Sequence, residues 1–284
     1  MNPQPIRLLA LDIDGTLLDP QFKISTQNLA ALRAAHGAGI EIMLATGRRH
    51  DYALPIAQEL GFPVCLISSN GAVIRSSAGE TFFTDRLPAR TASELIQYMD
   101  DFRGHAVLTF DRRGNDSLVL ERFDDLNRSI ARWMETNAQF IQYVSPLEKA
   151  LTEDPIQAMY CGKVARMEEA QKHIRKASFL DKITVLKTQY DHRDLCLLDI
   201  LNRDCSKGHA LRRWAEQRSV PREQIMAIGD NHNDLEMLEF AGLPVVMGNA
   251  SYDLKQNGWK VTASNAEDGV ARALEEILGL AFSS

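Results

Sequence analysis

The chain reads as an α/β protein whose parallel sheet is interrupted by a second, α+β domain. Three observations predict this. Short, almost unbroken apolar runs alternate with amphipathic stretches at both ends of the sequence, the pattern of a parallel sheet covered on both faces. Between about residues 86 and 190 that pattern gives way to paired strands and helices in a different order. The length of 284 residues also exceeds the roughly 250 at which single cores stop growing.

Taken in order, residues 6–11 are an apolar run ending at Asp12. Residues 26–38 put Leu29, Leu32 and His36 on one helical face, with Ser25 or Thr26 able to cap the start. Residues 40–45 form a second buried strand, and Ala53, Ile56, Ala57 and Leu60 recur as the stripe of a helix lying on a sheet. Residues 64–68 are the third strand. The insertion reads as helix 89–102, strands 105–110 and 117–121, helix 124–136, strand 156–161, helix 166–178 and strand 182–187. That mixture predicts an open, largely antiparallel sheet, with 111–115 as a hairpin tip. The first grammar then returns: a helix marked by Ala210, Leu211 and Trp214, strands 225–229 and 243–247, and a closing helix carrying Val270, Ala273, Leu274, Ile277 and Leu278. The expected division is 1–85 with 191–284 for the parallel-sheet domain, and 86–190 for the insertion.

Composition narrows the partners. A net charge of -6 and a pI near 5.7 argue against a nucleic-acid backbone, which needs a concentrated basic surface. A small anionic ligand needs only a few local cations. Four cysteines, Cys65, Cys161, Cys196 and Cys205, are widely spaced, and this placement favours neither a zinc site nor a disulfide framework. The opening Met1-Asn2-Pro3-Gln4-Pro5 lacks the basic and apolar regions of a signal peptide, and no apolar run is long enough to span a bilayer. The expectation is a cytoplasmic monomer or small homo-oligomer with no membrane contact.

The chemistry-bearing residues stand where strands run out, which in open α/β sheets is where ligands bind. In Asp12-Ile13-Asp14-Gly15-Thr16 the first strand delivers Asp12, and Gly15 lets the chain turn sharply beside a ligand. Alone, the run also describes an ordinary turn. Ile228-Gly229-Asp230-Asn231-His232-Asn233-Asp234 repeats the arrangement, with Asp234 near a helix start, where a carboxylate is favoured anyway. Carboxylates gathered in this way repel unless a cation joins them, and an oxygen-rich cluster suits Mg²⁺. His232 reads better as a solvated loop residue, because a hard cation prefers oxygen. Thr46-Gly47-Arg48 offers a hydroxyl and backbone N–H groups to a phosphate oxygen, or is simply a helix cap. Lys207, in Ser206-Lys207-Gly208 at a helix start, opposes the helix dipole, so an anion is expected against it.

Asp12-x-Asp14-Gly-Thr, Thr46, Lys207 and Gly229-Asp230-x-x-Asn233-Asp234 resemble the four ordered motifs of haloacid dehalogenase-superfamily phosphatases. Ser69-Asn70-Gly71-Ala72, Met247-Gly248-Asn249-Ala250 and the run from Ser264 to Val270 are similar to those of the Cof-type subfamily. The resemblance covers the parallel-sheet domain nearly end to end and implies a Rossmann-like core with an inserted C2-type α/β cap. One departure is in the strand before the lysine, Leu198-Asp199-Ile200, where family members often carry Glu at the Asp199 position; it reads as lying in the linker that returns from the cap.

The resemblance implies Asp12 as nucleophile, Asp14 as general acid and base, and Thr46 and Lys207 holding the phosphoryl group, with Asn233 nearby. It implies Mg²⁺ on Asp12, the Asp14 carbonyl and Asp230, with Asp234 acting through water. Gly47, Arg48 and Asn70 are further candidates for the substrate; an ion pair with Asp51 is the other reading of Arg48. The implied substrate is a small phosphorylated metabolite, a sugar phosphate or a phosphorylated cofactor precursor. Phosphomutase-like transfer and a non-catalytic phosphate-sensing module are the alternatives, and fold alone does not separate them.

Overall fold

The structure, a computed structural model, describes residues 5–112, 116–124, 128–190 and 193–279. Two compact units make up the chain: Met1–Thr84 with Ser206–Ser284, and Asp85–Cys205. The first segment supplies β1 (Leu8–Asp12), α1 (Thr26–Gly37), β2 (Glu41–Ala45), α2 (His50–Glu59), β3 (Cys65–Ser68), β4 (Val73–Ser76) and β5 (Thr81–Thr84). Ser25 is the cap of α1, its hydroxyl accepting from the Asn28 amide. The β4–β5 hairpin has no counterpart in the sequence reading, because β5 is a partly exposed edge strand with no clean alternation.

The insertion contributes α3 (Ala89–Tyr98), β6 (Ala106–Thr109), β7 (Leu118–Leu120), α4 (Arg128–Asn137), β8 (Ile141–Tyr143), β9 (Gln157–Gly162), α5 (Val164–Ile174), β10 (Ile183–Tyr190) and β11 (Leu195–Asn202). Its strands form one sheet in the order β10-β11-β9-β6-β7-β8, antiparallel except for β7 against β8. The expected return to the first unit at 191 is corrected here. The strand read at Leu198-Asp199-Ile200 is present as β11, but instead of lying in a returning linker it is a central strand of the insertion, paired with both β10 and β9. Leu198 and Ile200 are buried in this unit's core, and Asp199 on the opposite face accepts a hydrogen bond from the Gln157 amide at 3.2 Å. The helix expected over 89–102 ends at Tyr98 and continues as a tighter turn over Asp100–His105. Of the expected hairpin tip, residues 113–115 lie outside the described residues.

The chain then returns through α6 (Lys207–Gln217), β12 (Ile225–Gly229), α7 (Leu235–Phe240), β13 (Leu243–Val246), α8 (Tyr252–Lys255), β14 (Lys260–Val261) and α9 (Gly269–Leu278). The first unit's sheet runs β14-β13-β12-β1-β2-β3-β4-β5, parallel from β14 to β3. Alternation along β1 explains its two covered faces. Leu9 and Leu11 pack with residues of α1, α2 and α9, while Leu8 and Ala10 pack with residues of α6, α7 and α8. Burial of both faces is why these strands read as continuous apolar runs. All four cysteines are free and buried. Among the described residues no helix is long and apolar enough to cross a membrane.

Candidate active site

β12, β1, β2 and β3 are neighbours in the sheet, so the segments that leave their carboxyl ends lie side by side. These segments begin at Asp230, Asp12, Thr46 and Ser69. α6 is brought to the same edge by a close approach: a Cβ on Gly71, whose φ is +112°, would collide with the Ser206 carbonyl. Ser206 caps α6 by accepting from the His209 amide and also donates to Glu236, tying α6 to α7. Lys207 is thereby carried into the interior, fully buried.

Its ammonium donates to Asp12 Oδ1 at 2.6 Å and to Asp234 Oδ1 at 2.7 Å. These are the anions that its place at a helix start calls for. Asp234 Oδ2 accepts the backbone N–H groups of Asp230 and Asn231, each at 3.1 Å, so both of its oxygens are engaged. Asp230 Oδ1 accepts from the Thr16 hydroxyl at 3.0 Å. Oxygens of Asp12, Asp230 and Asp234 all lie within 4.8 Å of one another. Asp12 Oδ2 is buried and has no hydrogen-bond partner. One ammonium among three carboxylates leaves a formal charge of about two negative, which a divalent cation would balance. The residues therefore fit a Mg²⁺ ion.

The electrostatics follow from that imbalance. Burial, then the charges of Asp234, Asp230 and Asp14, push the Asp12 carboxyl well above the usual carboxylate range, with Lys207 opposing. Burial alone would lower the Lys207 ammonium, but Asp12 and Asp234 outweigh it and hold the lysine charged. The single cation thus stays ionised while the carboxyls around it share a surplus of negative charge. Asp230 is pushed up to about 7 from the ordinary 3.8, by burial first and Asp234 second, against the Thr16 hydrogen bond and the Lys207 charge. Between those values the folded protein holds the proton that the unfolded chain gives up. This group's contribution to stability is therefore full below 3.8 and is lost as the pH rises to about 7. In chelator, urea unfolding at a series of pH values is expected to show Asp230→Asn gaining stability over the parent chain as the pH rises through this window. Parallel pH profiles for the two proteins would remove Asp230 as the group responsible.

Arg48 does not pair with Asp51. Its guanidinium grips Asp14 in a two-pronged ion pair, Nε to Oδ2 at 2.7 Å and Nη2 to Oδ1 at 2.5 Å, and lies over the Tyr52 ring. Burial opposes the Arg48 charge and the Asp14 hydrogen bond outweighs it, so the arginine is held above its ordinary range. Thr46 is not the cap of α2, a position taken by Arg49; its hydroxyl accepts from the Arg48 amide at 3.1 Å and keeps a proton to donate. Asn70, in the left-handed region at φ 54°, accepts from the Asn233 amide at 3.0 Å and lies beside Gly47. His232 is exposed, lies 3.2 Å from Asp253 and is not a member of the carboxylate cluster. Two residues without an assigned role in the sequence reading also enter the site. Thr16 holds Asp230, and the Asn249 amide donates to the Gly15 carbonyl at 2.8 Å. Asn249 stands in one of the quoted motifs, which was the available signal.

Against known proteins, a family model for haloacid dehalogenase-like hydrolases matches residues 9–274. The phosphatase YwpJ of Bacillus subtilis is 31% identical, with 96% of this chain and 100% of that protein covered. The 5-amino-6-(5-phospho-D-ribitylamino)uracil phosphatase YitU of the same organism is 30% identical over 96% of this chain and 98% of its own. A solved haloacid dehalogenase-like hydrolase from Bacillus subtilis matches with a TM-score of 0.79 at 26% identity, covering 96% of this chain and all of that one. The matched region spans both segments of the parallel-sheet unit and the insertion between them, and the chain belongs to the haloacid dehalogenase-like hydrolase family, as a phosphatase of its Cof type.

Proposed function

We propose that the chain hydrolyses a small phosphomonoester, a sugar phosphate or a phosphorylated cofactor precursor, through a phosphorylated Asp12 and with Mg²⁺ as cofactor. One observation carries this reading. Asp12 Oδ2 is a buried carboxylate oxygen without a partner at the carboxyl end of a central strand, while Oδ1 of the same group is fixed by Lys207. A buried oxygen is costly to leave unpaired, and its use as a nucleophile and metal ligand accounts for it. The relative YitU, a 5-amino-6-(5-phospho-D-ribitylamino)uracil phosphatase, supports the substrate class.

Asp12 Oδ2 attacks phosphorus, forming the aspartyl-phosphate bond as the ester P–O bond breaks. Asp14 gives its proton to the departing alkoxide, then as carboxylate takes one from the water that hydrolyses the intermediate. Arg48 holds Asp14 as a carboxylate in the free enzyme; Asp14 takes up the proton it later donates from solvent as the ester binds, which weakens that pair and frees the guanidinium for the ester's oxygens. Lys207, the Thr46 hydroxyl, the Gly47 amide, Asn70 and Asn233 hold the phosphoryl oxygens, so positioning and charge carry most of the rate. Asp234, with both oxygens engaged, holds Lys207 and the loop after β12. Mg²⁺ would be held by the Asp12 and Asp230 carboxylates and the Asp14 carbonyl, and it supplies the charge neutralisation that lets an anionic nucleophile meet an anionic ester.

Phosphate release from a panel of phosphate esters tests this. Turnover is expected to cease after EDTA and exhaustive dialysis and to return with Mg²⁺. Unchanged rates in rigorously metal-free buffer would exclude the metal, and an isomerised phosphosugar without free phosphate would exclude hydrolysis.

A further inference from the structure

The loop that follows Asp12 is clamped by two asparagines from distant parts of the first unit. Asn249, between β13 and α8, donates its side-chain amide to the Gly15 carbonyl at 2.8 Å and reaches Asp230 Oδ2 at 3.5 Å. Its own Oδ1 accepts the Asn265 backbone N–H at 2.9 Å, which decides which end of the amide faces the acidic cluster. The Asn265 side chain in turn donates to the Leu18 carbonyl at 2.7 Å. Neither contact is needed to build the sheet. Both end on the segment from Gly15 to Leu18.

The chemistry at the centre of this clamp is unusual in its crowding. Gly15 stands at φ +86°, and a Cβ there would collide with the Asp230 carboxylate, so the two segments meet at the closest distance a backbone allows. A carbonyl oxygen and a carboxylate brought together in this way repel. Two donors relieve Asp230: the Thr16 hydroxyl on Oδ1 and the Asn249 amide toward Oδ2. A lysine or arginine at position 249 would do the same and also cancel the charge that a dication needs. An amide orients both oxygens while leaving that charge in place.

We propose that Asn249 is a positioning residue of the metal site, its amide fixing the Asp230 carboxylate and the Gly15 peptide together so that Mg²⁺ meets oriented oxygens. This rests on the Mg²⁺ reading above. Asn265 supports it from behind by holding Asn249 through its backbone and Leu18 through its side chain.

The test is titration calorimetry of the chelated full chain with MgCl₂, alongside circular dichroism. Asn249→Ala is expected to bind Mg²⁺ about 10–100-fold more weakly than the parent chain, the usual effect of losing a group that orients a metal ligand. The folded spectrum and its melting curve in EDTA are expected to stay close to the parent's, which a merely structural role would not allow. Asn265→Ala keeps the backbone donor to Asn249 and is expected to lose only a few-fold. Parent chain and Asn249→Ala binding Mg²⁺ with the same affinity would overturn the assignment of Asn249 alone. A parent chain that binds no Mg²⁺ would overturn the metal reading itself. Should Asn249→Ala fail to fold, Asn249→Ser carries the same comparison, and an unchanged affinity in it overturns the assignment equally.

Discussion

Asp12→Asn is expected to lower turnover of p-nitrophenyl phosphate by at least about a thousandfold, a loss of roughly 4 kcal/mol or more of transition-state stabilisation. The amide oxygen still accepts from Lys207, but the nitrogen that replaces the unpartnered Oδ2 has no lone pair with which to attack phosphorus. The same change removes one of three clustered carboxylates that Lys207 cannot satisfy alone, so metal-free stability is expected to hold or to rise. Steady-state kinetics and a melting curve on the same preparation check both halves. A variant that keeps activity within about tenfold would end the nucleophile assignment.

Lys207→Ala is expected to have the largest effect on folding of any single change in the site. The ammonium is wholly buried and bonded to both Asp12 and Asp234. Its loss leaves two carboxylates facing each other in a poorly solvated place, a change that costs about 3–5 kcal/mol. Denaturant unfolding measures this. Adding Asp234→Asn to that background removes the repulsion and is expected to recover much of the stability, while phosphate release stays abolished. Equal stability of the single and double variants would show that the carboxylates relax apart without the lysine. Recovery of both stability and turnover would show that Lys207 only screens Asp234 and takes no part in holding phosphate.

The order of strands, helices and acids was legible because each depends on near neighbours in the chain. The run before Asp12 is apolar because β1 is buried on both faces, and the motif at Asp230 follows β12 for the same reason. Lys207 announced an anion through the helix dipole, a local argument, yet nothing local says which anion. Arg48 shows the limit most clearly. Helical spacing favours Asp51, three residues away, whereas the structure offers Asp14, thirty-four residues distant, in a two-pronged grip. The strand around Asp199 was legible, but its place outside the insertion was misread for a related reason: which sheet a strand joins shows only once β9 and β10 are in place.

By itself the sequence determined the α/β class, the interruption by a second unit, and the set of residues gathered at the strand ends, since hydrophobic period and chain order are properties of short segments. Tertiary structure decided the pairings among them: Lys207 between Asp12 and Asp234, Asp14 with Arg48, and Asn249 over Gly15 and Asp230. Those pairings depend on distances across the fold, in an interior where an unpaired charge is costly, and no local period encodes them.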